Sequence, residues 1–62
     1  MKVREILRRL REDGWEIVRT RGSHPQLKHP TKSGLVTVSG KANVDIPPGT
    51  LKSILQQAQL ED

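Results

Sequence analysis

Residues 15–39 read WEIVRTRGSHPQLKHPTKSGLVTVS, and the fold turns on how this stretch divides. WEIVRT, residues 15–20, combines an aromatic with β-branched side chains and predicts a strand. RGSHP, residues 21–25, interrupts it: Gly22 frees the backbone, Ser23 favours a turn, and Pro25 has no N–H to give a ladder. QLKH, residues 26–29, predicts a short second strand, and PTKSG, residues 30–34, a turn. LVTVS, residues 35–39, alternates as a half-buried third strand does. Strands joined by loops this short form an antiparallel meander.

On either side the period changes from two to 3.6. In MKVREILRRLRED, Val3, Ile6, Leu7 and Leu10 fall on one helical stripe, with Gly14 as a C-terminal stop and Trp15 placed to fold back onto the last apolar turn. After the irregular GKANVDIPPG, Asp45 and the Pro47-Pro48 pair announce a second helix, because proline fits a first turn whose donors are unpaired. Its stripe is Leu51, Ile54, Leu55 and Ala58, and it frays near Leu60. The expected fold is a two-layer α+β domain over residues 1–62, in the order α-β-β-β-α, with two helices on one face of a three-stranded antiparallel sheet.

Composition limits what such a domain does. A chain of 62 residues has a small core, and without cysteine it has neither disulfides nor thiolate metal sites to staple it. No apolar run has the length of a membrane span and no signal-peptide pattern opens the chain, so a cytoplasmic setting is expected. Eleven Lys and Arg against seven Asp and Glu leave a net charge of +4, which favours phosphate backbones but also fits a mixed, solvated surface. Arg4, Arg8 and Arg11 repeat at helical spacing, either as a phosphate grip or as a plain solvated helix face. Trp15 is the sole aromatic, so a module that reads single strands by stacking several bases is excluded. Any RNA binding would rest on charge and shape.

One place looks like chemistry: Arg21-Gly22-Ser23-His24. Histidine suits proton transfer near neutral pH, and strand alternation puts His24, Gln26 and Lys28 on one face. Arg19, Arg21 and Lys28 are close in sequence, so a base for a 2′-hydroxyl would have cations able to hold a phosphate. By these residues alone, a solvent-exposed structural histidine is the simpler reading. His29 lies at an odd offset from His24, faces the other way on a regular strand, and reads as structural. No carboxylate or histidine cluster has metal-ligand spacing, and neither metal nor cofactor is expected.

Further residues carry a family resemblance. Gly22-Ser23-His24, Lys28-His29-Pro30, Val36-Thr37-Val38 and Pro48-Gly49-Thr50-Leu51, followed by Ser53-Ile54-Leu55 and Gln57-Ala58, resemble the HicA toxins in order and spacing over nearly the whole chain. The resemblance implies a double-stranded-RNA-binding-domain-like fold. It also implies the toxin half of a toxin–antitoxin pair, an mRNA interferase that cuts messenger RNA with a histidine matching His24. A HicB-type antitoxin would be the partner that masks this site. Arg19, Arg21, Ser23, Lys28, Arg8 and Lys41 are the expected RNA-binding residues. Many members carry a Pro-x-His string after the third strand, where this chain has Ser39-Gly40-Lys41, so the acid–base partner of His24 is unassigned. That departure keeps open a non-catalytic, basic RNA-binding module of the same fold.

Overall fold

The structure is a computed structural model that describes residues 1–22 and 24–60. Its elements are α1 (Val3–Asp13), β1 (Glu16–Arg21), β2 (His24–Lys28), β3 (Val36–Thr37) and α2 (Pro48–Gln57). The strands form one antiparallel sheet in the order β1-β2-β3, giving the expected α+β, double-stranded-RNA-binding-domain-like arrangement.

The α1 stripe buries Val3, Ile6 and Leu10, with Leu7 packed at its edge. Leu51, Ile54, Leu55 and Ala58 of the second helical stripe close over the same core, which meets the sheet at Leu27, Val36 and Val38. Each such aliphatic side chain contributes roughly 1.5–3 kcal/mol on burial, so a domain this small depends on every one of them. Gly14 ends α1 at φ 111°, and the Trp15 N–H donates back to the Leu10 carbonyl at 2.9 Å. That reversal buries Trp15 beneath α1. At the other end, the first free helical donors find partners in the connection after β3: Val3 N–H donates to Val44 O and Arg4 N–H to Ala42 O, both at 3.0 Å.

The strands depart from expectation in two places, both at Pro25. β2 begins at His24 rather than Gln26, because Pro25 still pairs with Thr20 of β1. β3 stops at Thr37 rather than Ser39. Val38 N–H donates to Pro25 O at 3.0 Å, but proline has no N–H to return the bond, and the ladder ends there.

Candidate functional site

With both helices on one face, the other face of the sheet is open. Cross-strand partners share a face, and β2 alternates with Leu27 buried toward the helices and His24 and Lys28 exposed. Arg21 pairs directly with His24 across the Gly22–Ser23 connection, and Arg19 pairs with Gln26. Thr37 of β3 pairs with Gln26 from the other side. The register is broken once, at Val18, which has no partner. That extra residue reverses the parity of β1: Ile17 lies opposite buried Leu27, while Arg19 and Arg21 stay on the open face with His24. Without the bulge, Ile17 and the two arginines would share a face.

The open face therefore carries ordered rows. One row has Arg21 and His24; exposed Ser39 lies one residue beyond Val38, whose N–H bonds Pro25 O where the ladder ends. The next row is Arg19, Gln26 and Thr37. The third pairs Glu16 with Lys28. Among the described residues, none of the side chains of Arg19, Arg21, His24, Gln26 or Lys28 makes a hydrogen bond or ion pair. Other cations are engaged: Lys2 with Asp45 at 3.6 Å, Arg8 with Glu12 at 3.2 Å, and Lys32 with Asp13 at 2.7 Å.

Of the residues singled out in the sequence, His24, Arg19, Arg21 and Lys28 come together on one face. The cation beside His24 is Arg21; Lys28 is two residue pairs away, roughly 13 Å along the strand. Arg8 lies in the helix layer, beside a shallow groove of about 540 Å³ lined also by Arg4, Leu7, Arg11 and Glu12. Lys41 is exposed in the connection that caps α1, two residues beyond Ser39. Ser23 lies outside the described residues. Gln26, Thr37 and Ser39 were absent from the sequence-derived site; the alternation of buried Val36 and Val38 with exposed Thr37 and Ser39 was the signal available.

His29 is structural, as expected. Its ring is 8% exposed, with Nδ1 accepting backbone N–H bonds from Thr31 at 3.0 Å and Lys32 at 3.1 Å. Nδ1 is therefore unprotonated, and Nε2–H donates to the Asp13 carbonyl at 2.7 Å, satisfying an α1 C-terminal acceptor. The Lys32 ammonium donates to Asp13 Oδ2 at 2.7 Å and to the Ala58 and Gln59 carbonyls at 3.2 and 3.3 Å. One turn thus caps the C-termini of both helices. The Lys32 hydrogen bond, supported by its charge, holds the Asp13 carboxyl below its ordinary value of 3.8 against some desolvation. The Trp15 indole N–H, buried and without an acceptor at bonding distance among the described residues, adds only a weak pull on that carboxylate.

An α-β-β-β-α domain whose helices cover one sheet face and leave the other lined with cations that have no partner among the described residues is, by fold, built like the small double-stranded-RNA-binding-type domains. More narrowly, the chain belongs to the HicA toxin family: the family model described as "HicA toxin of bacterial toxin-antitoxin" matches residues 3–60. Membership implies a cognate antitoxin as partner. No curated protein matches the chain. No helix among the described residues is long and apolar enough to cross a membrane.

Proposed function

We propose that this toxin is an endoribonuclease, an mRNA interferase acting on messenger RNA in the cytoplasm, with His24 as its catalytic base. The observation that carries the reading is His24 itself: an exposed imidazole with no side-chain partner among the described residues, paired across the hairpin with Arg21. His24 takes the proton from a ribose 2′-hydroxyl and the 2′-oxygen attacks the adjacent phosphorus. The bond to the 5′-oxygen of the next nucleotide breaks, and that oxygen takes a proton from solvent. The products are a 2′,3′-cyclic phosphate and a free 5′-hydroxyl. Arg21 stabilises the charge that builds on the phosphorane oxygens, while Arg19 and Lys28 position the backbone. General-base catalysis of this kind contributes on the order of 10²–10⁴ in rate. Arg8 and Lys41, away from these rows, add long-range attraction for the polyanion. A HicB-type antitoxin inhibits by covering the open sheet face.

A second reading, a non-catalytic RNA-binding module, is favoured by one feature: among the described residues the rows around His24 hold no second imidazole to serve as acid. The two separate cleanly. Wild type and His24→Ala are incubated with a long messenger RNA in EDTA and the products run on a gel. Cleavage by wild type alone, with RNA affinity retained by the variant, supports the nuclease. RNA bound but intact in both lanes leaves the binding module.

A further inference from the structure

We infer that the RNA on the open face is a single strand running along the β1–β2 hairpin, held at two successive phosphates: the scissile one at Arg21 beside His24, the next at Arg19 beside Gln26. Which of the two phosphates is scissile rests on the proposed role of His24.

Three observations converge on it. The rows are one i, i+2 step apart, roughly 6.6 Å on an extended strand, comparable with the distance between neighbouring phosphates of an extended chain. Charge within the rows is sorted by column: Arg19 and Arg21 stand on β1, neutral Gln26 and His24 on β2, and the hydroxyl of Thr37 on the third strand. A single column of guanidiniums tracks one phosphodiester backbone. A duplex presents two, and Lys28, the remaining cation paired on this face, stands opposite Glu16. The central and far columns place an amide and a hydroxyl where ribose and base edges would lie, giving donors and acceptors for a 2′-hydroxyl.

The chemistry points the same way. In an A-form duplex the 2′-oxygen is held off the line through phosphorus and the leaving 5′-oxygen, whereas a single-stranded nucleotide rotates into it. Trp15 is buried, so no aromatic is present to stack on the bases. The strand is gripped by its backbone, with little base preference.

The test uses the full chain with His24→Ala, which binds without cutting, and a fluorescent RNA oligonucleotide, alone or annealed to its complement. Fluorescence anisotropy at low salt is expected to give the single strand about tenfold tighter binding than the duplex, about 1.4 kcal/mol. Adding Arg19→Ala to that protein should weaken the single strand several-fold. An uncharged methylphosphonate at one of the two phosphates next to the cleavage position should cause the same loss, and should cost the Arg19→Ala protein nothing further. Equal or tighter duplex binding, no measurable binding of either form, or full additivity of the Arg19 and methylphosphonate losses overturns the inference. Failure of wild type to cleave while the binding pattern holds removes the catalytic role of His24 and leaves the single-strand track in place.

Discussion

The two histidines make opposite predictions, and His29 is the one on which folding depends. Replacing it with alanine removes the Nε2–H bond to Asp13 O, the Nδ1 acceptor shared by the Thr31 and Lys32 amides, and an edge-on contact with Trp15 at 5.3 Å between ring centroids. Each hydrogen-bonding role contributes about 1 kcal/mol net, and the ring contact about another 1 kcal/mol. The expected loss is about 3 kcal/mol. Set against a total of about 3–9 kcal/mol for a chain of this length, about a third of the margin or more disappears. Urea and thermal melts followed by circular dichroism should show the midpoint falling by about 12 °C or more. His24→Ala, by contrast, removes an exposed side chain with no partner among the described residues and should shift stability by less than about 0.5 kcal/mol. A loss below about 1 kcal/mol for His29→Ala would refute the claim that this ring joins the sheet to α1.

Further outcomes follow from backbone geometry and charge. Gly14→Ala should destabilise by about 2 kcal/mol or more, since the residue sits at φ 111° and its Cβ would meet His29 Nε2 at 2.8 Å; a urea titration measures it. Gln59 adopts φ 56° just past α2, so Gln59→Gly should raise the thermal midpoint, by about 0.5–1 kcal/mol of stability. Because the folded-state pKa of Asp13 lies below its ordinary 3.8, its carboxylate contributes stability above that value and loses it as pH falls through the lowered one. Melts of wild type and Asp13→Asn at pH 7 and pH 2 should therefore differ at pH 7, with the difference smaller at pH 2.

The helices were legible because their information is local. Val3, Ile6 and Leu10, the Gly14 stop and Pro48 at a helix start each speak within a turn of where they act. The candidate site was legible only in part. Strand parity put His24, Gln26 and Lys28 on one face, but it could not single out Arg21 among the three nearby cations as the cross-strand partner of His24. Register is a property of two strands, and a hairpin turn fixes it only once the loop length is known. The Val18 bulge is harder still: Ile17 and Val18 side by side give no sign of which is the extra residue. The joint capping of both helices by His29 and Lys32 joins residues 16 to 27 positions apart, and nothing in composition announces it.

These details share one consequence. A 62-residue domain has enough apolar side chains to cover one face of its sheet, and both helices are used for that. Lys32 and the neutral His29 ring are consumed in holding helix ends, and the connection after β3 caps the start of α1. On the hairpin face, Arg19, Arg21, His24 and Gln26 stand in register without side-chain partners among the described residues. Adjacent unpaired cations on a sheet face stabilise nothing by themselves, and like charges two residues apart repel. On the function proposed above, a polyanion neutralises them, or an antitoxin surface does so in its place. The same arginines then serve both partners in turn, so substitutions at Arg19 and Arg21 should weaken RNA and antitoxin together, while His24→Ala leaves antitoxin affinity nearly unchanged. Isothermal titration of the three variants with the cognate antitoxin tests this; an antitoxin that binds the Arg19→Ala and Arg21→Ala proteins as tightly as wild type would mean that it docks elsewhere.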